Sequence, residues 1–295
     1  MSEQDYIPGT RVIRNLVDRS PAHPMGTTDA RRLDMEETFL SSTRMVELLA
    51  QPASLASEER AYTFGHMRRV HQYLFQDVYA WAGEPRRVPM SKRGVSYAEP
   101  SEMNALLRGA YARLAEQNYL RGIDDQEQFT RELATTWAEI NHGHAFREGN
   151  TRSQTVFFAQ LARDAGWQLD TTRLSPHHEN SIYQQFVSAR FEYQRLRSVP
   201  GLDAQEASVE LANVLVSLVS PMRSADQSVA RDAPPTSIAS QDPERAVKIA
   251  RSEGLEVDAA GFIDFTKADP PPKRRPLPPR FSSSEPELVS DELQL

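Results

Sequence analysis

Residues 144–152 read HAFREGNTR, and the fold can be read outward from this polar stretch. It holds a proton acceptor (His144), a metal-capable carboxylate (Glu148), a Gly-Asn pair (Gly149 and Asn150) and a guanidinium (Arg152). An imidazole takes a hydroxyl proton near neutral pH, and a carboxylate can hold Mg²⁺ together with substrate phosphates. Glycine lets backbone N–H groups approach an anion at a helix N-terminus, and a guanidinium neutralises phosphate oxygens. Upstream, Phe129, Leu133, Trp137 and Ile140 recur at helical spacing; downstream, Val156, Phe157, Ala159 and Leu161 predict a second helix ending near Gly166. The stretch is then a turn that opens onto the positive end of the second helix. The residue types alone leave two readings open: a phosphate loop, or a solvated helix–helix turn that contains a histidine.

The surrounding chain predicts a nearly all-α architecture with one small hairpin. Apolar spacing places a helix over residues 34–49 and another over 58–79. Residues 85–100 form the loop or hairpin. Ser101 is the expected cap of a helix that carries Leu106, Leu107 and Leu114 on its apolar side. Ser175 and Pro176 open a further helix with Ile182, Phe186, Ala189 and Tyr193 on one face. Leu211, Val214, Leu215 and Leu218 mark a last core helix. Beyond Pro221 the apolar spacing fades, and residues 270–280 are basic and proline-rich, which favours extended polyproline II. The expected division is an arm at 1–59 packing on the core, a core at 60–220, and a largely disordered tail at 221–295 with a short helix near 243–253.

Residues 144–155, HAFREGNTRSQT, resemble the Fic family motif H-P-F-x-[D/E]-G-N-G-R-x-x-R. The resemblance extends upstream, where residues 69–87 read RVHQYLFQDVYAWAGEPRR, and near the N-terminus, at Tyr6 to Thr10 and Arg14-Asn15. It covers roughly residues 6–200 and implies a Fic-type helical bundle with a β-hairpin flap over the target peptide. It also implies protein AMP transfer from ATP. His144 would deprotonate a Ser, Thr or Tyr hydroxyl of a target protein, and Glu148 would hold Mg²⁺. ATP contacts would run through Phe146, Arg147, Gly149, Asn150, Thr151 and Arg152, with Phe146 also anchoring the loop. Met90, Ser91 and Lys92 would lie on the flap and bind target backbone by strand addition. His71 and His142 read as packed rather than reactive. His177 and His178 are adjacent and diverge on a helix, so they read as helix-terminal residues and not a metal pair.

The chain departs from the motif at three positions. Ala145 stands in place of proline, Thr151 in place of the second glycine, and Thr155 in place of the second arginine. The last two resemble the Doc branch of the family, which transfers the γ-phosphate, so a Doc-like phosphotransferase is the alternative reading. A catalytically weak scaffold that binds partners is a third. Ile249 to Glu256 resembles the inhibitory helix of separate antitoxin proteins, with Glu253 as the candidate inhibitory residue. A small separate antitoxin is a candidate partner, and so is an SH3-like domain for Arg275 to Pro279.

The balance of 34 basic and 41 acidic residues, net −7, argues against nucleic acid or an anionic membrane as the main partner. Cysteine is absent, which fits a reducing cytosol. The acidic, polar start is unlike a signal peptide, and no apolar run has the length of a membrane span. The expected location is cytoplasmic, with export by a signal-independent route also compatible.

Overall fold

A computed structural model describes residues 5–51, 55, 61–174, 181–222, 256–257 and 263–264. The architecture is mainly helical. In chain order the helices are α1 (Ala30–Ala50), α2 (Phe64–Phe75), α3 (Pro100–Glu116), α4 (Gln126–Gly143), α5 (Asn150–Asp164), α6 (Ser181–Leu196), α7 (Ala204–Ala207) and α8 (Val209–Leu215). The strands are β1 (Ser91–Lys92), β2 (Val95–Ser96), β3 (Trp167–Leu169), β4 (Val219–Pro221), β5 (Glu256–Val257) and β6 (Ile263–Asp264), paired antiparallel as β1–β2, β3–β4 and β5–β6.

Helix α4 runs through the centre. Phe129, Leu133, Trp137 and Ile140, the residues whose spacing predicted it, are all buried. Burying side chains of this size contributes roughly 1.5–3 kcal/mol each. Trp137 stacks on Phe158 of α5 at 4.5 Å and meets Phe186 of α6 edge-on at 5.1 Å. A second apolar cluster joins Leu33, Leu40 and Leu48 of α1 to Leu74 and Phe75 of α2 and Val156 of α5. The two clusters meet at the N-terminal half of α5, where the motif lies.

Local chemistry explains where several elements differ from the expected boundaries. Helix α1 begins earlier than residue 34 because Asp29 accepts hydrogen bonds from the backbone of Arg31 and Arg32. Helix α2 begins at Phe64, not in the fifties, because Thr63 caps it through the amide of His66. Pro100, not Ser101, opens α3: its fixed φ and missing N–H suit the first helical position, and Glu99 occupies the N-cap position without a side-chain capping bond. The last core helix stops at Leu215, and Leu218 leads into β4, which pairs Leu169 with Val219 and Trp167 with Pro221. That small sheet is absent from the sequence expectation, since each strand has only three residues and no period to read. The Ser175–Pro176 helix start, His177, His178, the helix near 243–253, Glu253 and the Arg275–Pro279 motif all lie outside the described residues.

Candidate active site

Helix α4 ends at His144, which has left-handed backbone angles (φ 42°, ψ 57°), while its N–H still bonds the carbonyls of Ile140 and Asn141. This reversal turns the chain out of the helix and sets the imidazole against the ring of Tyr97, stacked at 3.7 Å with 13° between planes. The side chain is buried, and Nδ1 has no hydrogen-bond partner among the described residues. Burial, then the nearby cations Arg190, Arg86 and Lys92, hold its pKa well below 6.5. His144 is therefore a neutral imidazole, as a general base must be.

The loop that follows is held by its own side chains. Asn150 accepts from the amide of Phe146 at 2.9 Å and donates to the carbonyl of Phe146 at 2.7 Å. Both ends of its carboxamide therefore clasp the loop and fix its backbone. Phe146 is buried against His71, rings 3.9 Å apart. His71 accepts from the amide of Gly83 at 2.8 Å, which leaves Nε2–H to donate to the carbonyl of Glu148 at 3.0 Å. Burial pulls its pKa down to about 3, so it stays neutral and fixes the loop. The Glu148 side chain is exposed, with one oxygen accepting from the amide of Gly149 at 3.0 Å.

Gly149 caps α5 with φ 79°, and a Cβ placed there would lie 2.3 Å from Cε2 of Phe75. Two independent constraints therefore require glycine. The Gly149→Ala variant should lose about 3 kcal/mol or more, from left-handed strain plus the clash with a packed ring. Urea unfolding would measure this, and adding Phe75→Leu should recover part of the loss. A loss below about 1 kcal/mol would contradict the geometry.

Both motif arginines that the sequence assigns to ATP already hold protein groups. Arg152 pairs with Glu37 of α1, donates to Ser41 Oγ at 2.6 Å and lies over the Phe75 ring at 4.8 Å. Glu37 also accepts from the hydroxyl of Tyr79. Arg147 donates to the hydroxyl of Tyr6, lies over its ring at 5.3 Å and stands 3.8 Å from Asp5. The N-terminal segment and α1 thus orient one face of the loop. Thr155 is buried and donates to the carbonyl of Thr151 at 2.9 Å, the usual way a helical threonine satisfies its hydroxyl.

Between β1, β2 and α6 lies a cavity of 390 Å³, whose walls include Lys92, Arg93, Tyr97, His144, Thr151 and Arg190. The hairpin turns through Arg93 (φ 52°) and Gly94 (φ 76°), as a two-residue turn with right-handed strand twist requires. Ser91 and Lys92 are exposed and Met90 is half-buried, its carbonyl accepting from the amide of Tyr97 at 3.0 Å. Arg86 ties the hairpin to the loop. It is buried and donates to the carbonyls of His144, Val88, Ala98 and Gly143. His142 bonds Gln194 at 2.5 Å and is structural.

Sequence reading missed Tyr97, Arg190 and Glu37 as parts of the site. Nothing in their local spacing marks them. Arg86 was visible only as the end of the upstream stretch, with no role attached.

No group of three or more metal-binding side chains occurs among the described residues, so an all-protein metal cage does not form around Glu148. Its donor set fits Mg²⁺, which is commonly held by one or two carboxylates plus substrate phosphates.

The sequence profile described as "Fic/DOC family" matches residues 61–162. A probable protein adenylyltransferase of Sinorhizobium fredii, y4lH, is 33% identical over 169 residues, which cover 57% of this chain and 80% of that protein. The protein adenylyltransferase VbhT of Bartonella schoenbuchensis is 33% identical over 167 residues, 57% of this chain but only 32% of that longer protein. Among solved structures, the Fic domain of Bep8 from Bartonella sp. 1-1C superposes with a TM-score of 0.61 at 20% identity, covering 75% of this chain and 96% of that one. BepC of Bartonella tribocorum, with AMPPNP bound, gives 0.59 at 17%, covering 76% and 99%. With a third of positions identical across four-fifths of y4lH and the profile match over the α2–α5 region, the chain belongs to the Fic/DOC family.

Proposed function

We propose that the chain is a protein adenylyltransferase that moves AMP from ATP to a hydroxyl of a target protein. The observation that carries this reading is His144: a neutral imidazole lining a cation-rich cavity beside the opening of α5. The relatives at 33% identity, named as adenylyltransferases, support it. A target hydroxyl gives its proton to His144. Its oxygen bonds the α-phosphorus, the bond to the bridging oxygen breaks, and pyrophosphate leaves. The target keeps AMP as a phosphodiester. Backbone N–H groups in the first turn of α5 receive phosphate oxygens, because a helix start leaves them without internal partners. Glu148 is the residue that would hold Mg²⁺, which offsets phosphate charge when bound. The exposed edge of the β1–β2 hairpin offers main-chain bonding for an extended target segment.

Thr151 and Thr155 favour γ-phosphate transfer as the second reading. ATP labelled at the α- or the γ-position separates the two. Label from the α-position on the acceptor protein is expected, at no more than background in His144→Ala. Label from the γ-position alone would replace AMP transfer with phosphotransfer.

A further inference from the structure

Among the described residues, Arg190 is the one cation of the cavity that is both buried and without a counter-charge. It is 6% exposed. One nitrogen donates to Thr151 Oγ1 at 3.1 Å; another donates to Asn141 and, at 3.3 Å, to Gln154 Oε1. Its Nε has no partner among the described residues, and its carbon sits 5.0 Å from the Phe186 centroid. All of these partners are neutral. The other two buried arginines among the described residues are satisfied differently: Arg44 pairs with Asp77, and Arg86 divides its donors among four carbonyls. A buried charge in a neutral shell is costly, and burial draws the pKa of Arg190 down to about 10. An anion entering the cavity would remove that cost.

The first two turns of α5 offer no free cation among the described residues. Thr155 stands where the motif has an arginine and is turned back on its own helix, while Arg152 is held by Glu37 and Ser41. Thr151, which replaces a glycine, receives the Arg190 bond on its oxygen and so keeps its O–H hydrogen for a further acceptor. The two departures and Arg190 thus form one arrangement, in the same cavity as His144.

We infer that Arg190 binds the phosphoryl group presented to His144, with the Thr151 hydroxyl as a second donor, so that this chain supplies from α6 the cationic side chain that its motif lacks at position 155 of α5. The inference rests on the nucleotide-transfer reading for the identity of the ligand, but not for the existence of the anion site. Neutralising Arg190 would also relieve its repulsion of a proton on His144, so phosphate arrival would strengthen the base.

The test is calorimetric titration of the full chain and of Arg190→Met and Arg190→Lys with AMP, adenosine and inorganic pyrophosphate. Arg190→Met should weaken AMP and pyrophosphate roughly 10- to 100-fold, as loss of a charge-assisted bond does, and leave adenosine unchanged. Arg190→Lys should fall between. Equal weakening of AMP and adenosine would assign Arg190 a purely structural role, and unchanged pyrophosphate binding would overturn the inference. If the variants fail to fold, wild-type crystals soaked in pyrophosphate decide: an anion on the Arg190 fork supports the site, and an anion elsewhere or none refutes it. A wild type that transfers no AMP yet binds pyrophosphate through Arg190 would sink the transfer reading alone. A wild type that transfers AMP while Arg190→Met keeps its preference for AMP over adenosine would sink this inference alone.

Discussion

His144→Ala is expected to lower the rate of target modification by about 10²- to 10⁴-fold, the usual contribution of a positioned general base. The fold should survive with a modest drop in thermal midpoint: the variant loses the stack on Tyr97, but Nδ1 makes no hydrogen bond whose loss would strand a partner among the described residues. Mass measurement of an acceptor protein after incubation with Mg-ATP reads the effect directly. The pH profile adds a sharper check. Burial and three cations lower the folded pKa of His144, so the imidazole remains unprotonated as pH falls through 6.5. The acid limb of kcat/KM should therefore lie below 6.5, and activity at pH 6 should stay near its neutral value. A limb at or above 6.5 would mean that an unshifted group, not this histidine, is the base.

Arg86→Met should be the most damaging substitution outside the loop. It removes the donors to four carbonyls while keeping much of the side-chain volume. A buried acceptor left unpaired costs roughly 1–3 kcal/mol, partly relieved by relaxation and water. A net loss of about 3 kcal/mol or more is expected in urea unfolding. The same bonds join Val88 and Ala98, on either side of the hairpin, to Gly143 and His144. Below the unfolding transition, the variant should therefore also transfer AMP roughly tenfold more slowly, as misplaced catalytic groups do. A variant within 1 kcal/mol of the parent and with full activity would show that the hairpin and the catalytic turn are held independently.

Much of the fold was legible from single residues. Trp137 and Phe129 announced α4, and Leu161 and Phe157 announced α5, because the burial of one helical face repeats along the chain and can be read locally. The Asn150 and Phe146 positions were legible as part of the loop, whereas the pair of bonds between the carboxamide and the Phe146 backbone was not. Ser101 was misjudged as a cap because Pro100, one residue earlier, satisfies the first helical turn by lacking an N–H. The β3–β4 pair escaped notice because Trp167 and Pro221 meet only after the helices between them have packed.

By itself the sequence determined the helices around residues 144–152, the hairpin before Pro100 and the chemical inventory of the loop, because each depends on neighbours a few residues away. It could not determine what the charged groups of that inventory are bonded to. Arg152 meets Glu37 across 115 residues, Arg86 meets the His144 carbonyl across 58, and Arg190 meets Thr151 across 39. Which guanidinium is neutralised and which is left facing the cavity depends on distances that only the packing of α1, α2 and α6 around α5 sets. Coulombic and hydrogen-bond energies follow separation in space, not along the chain.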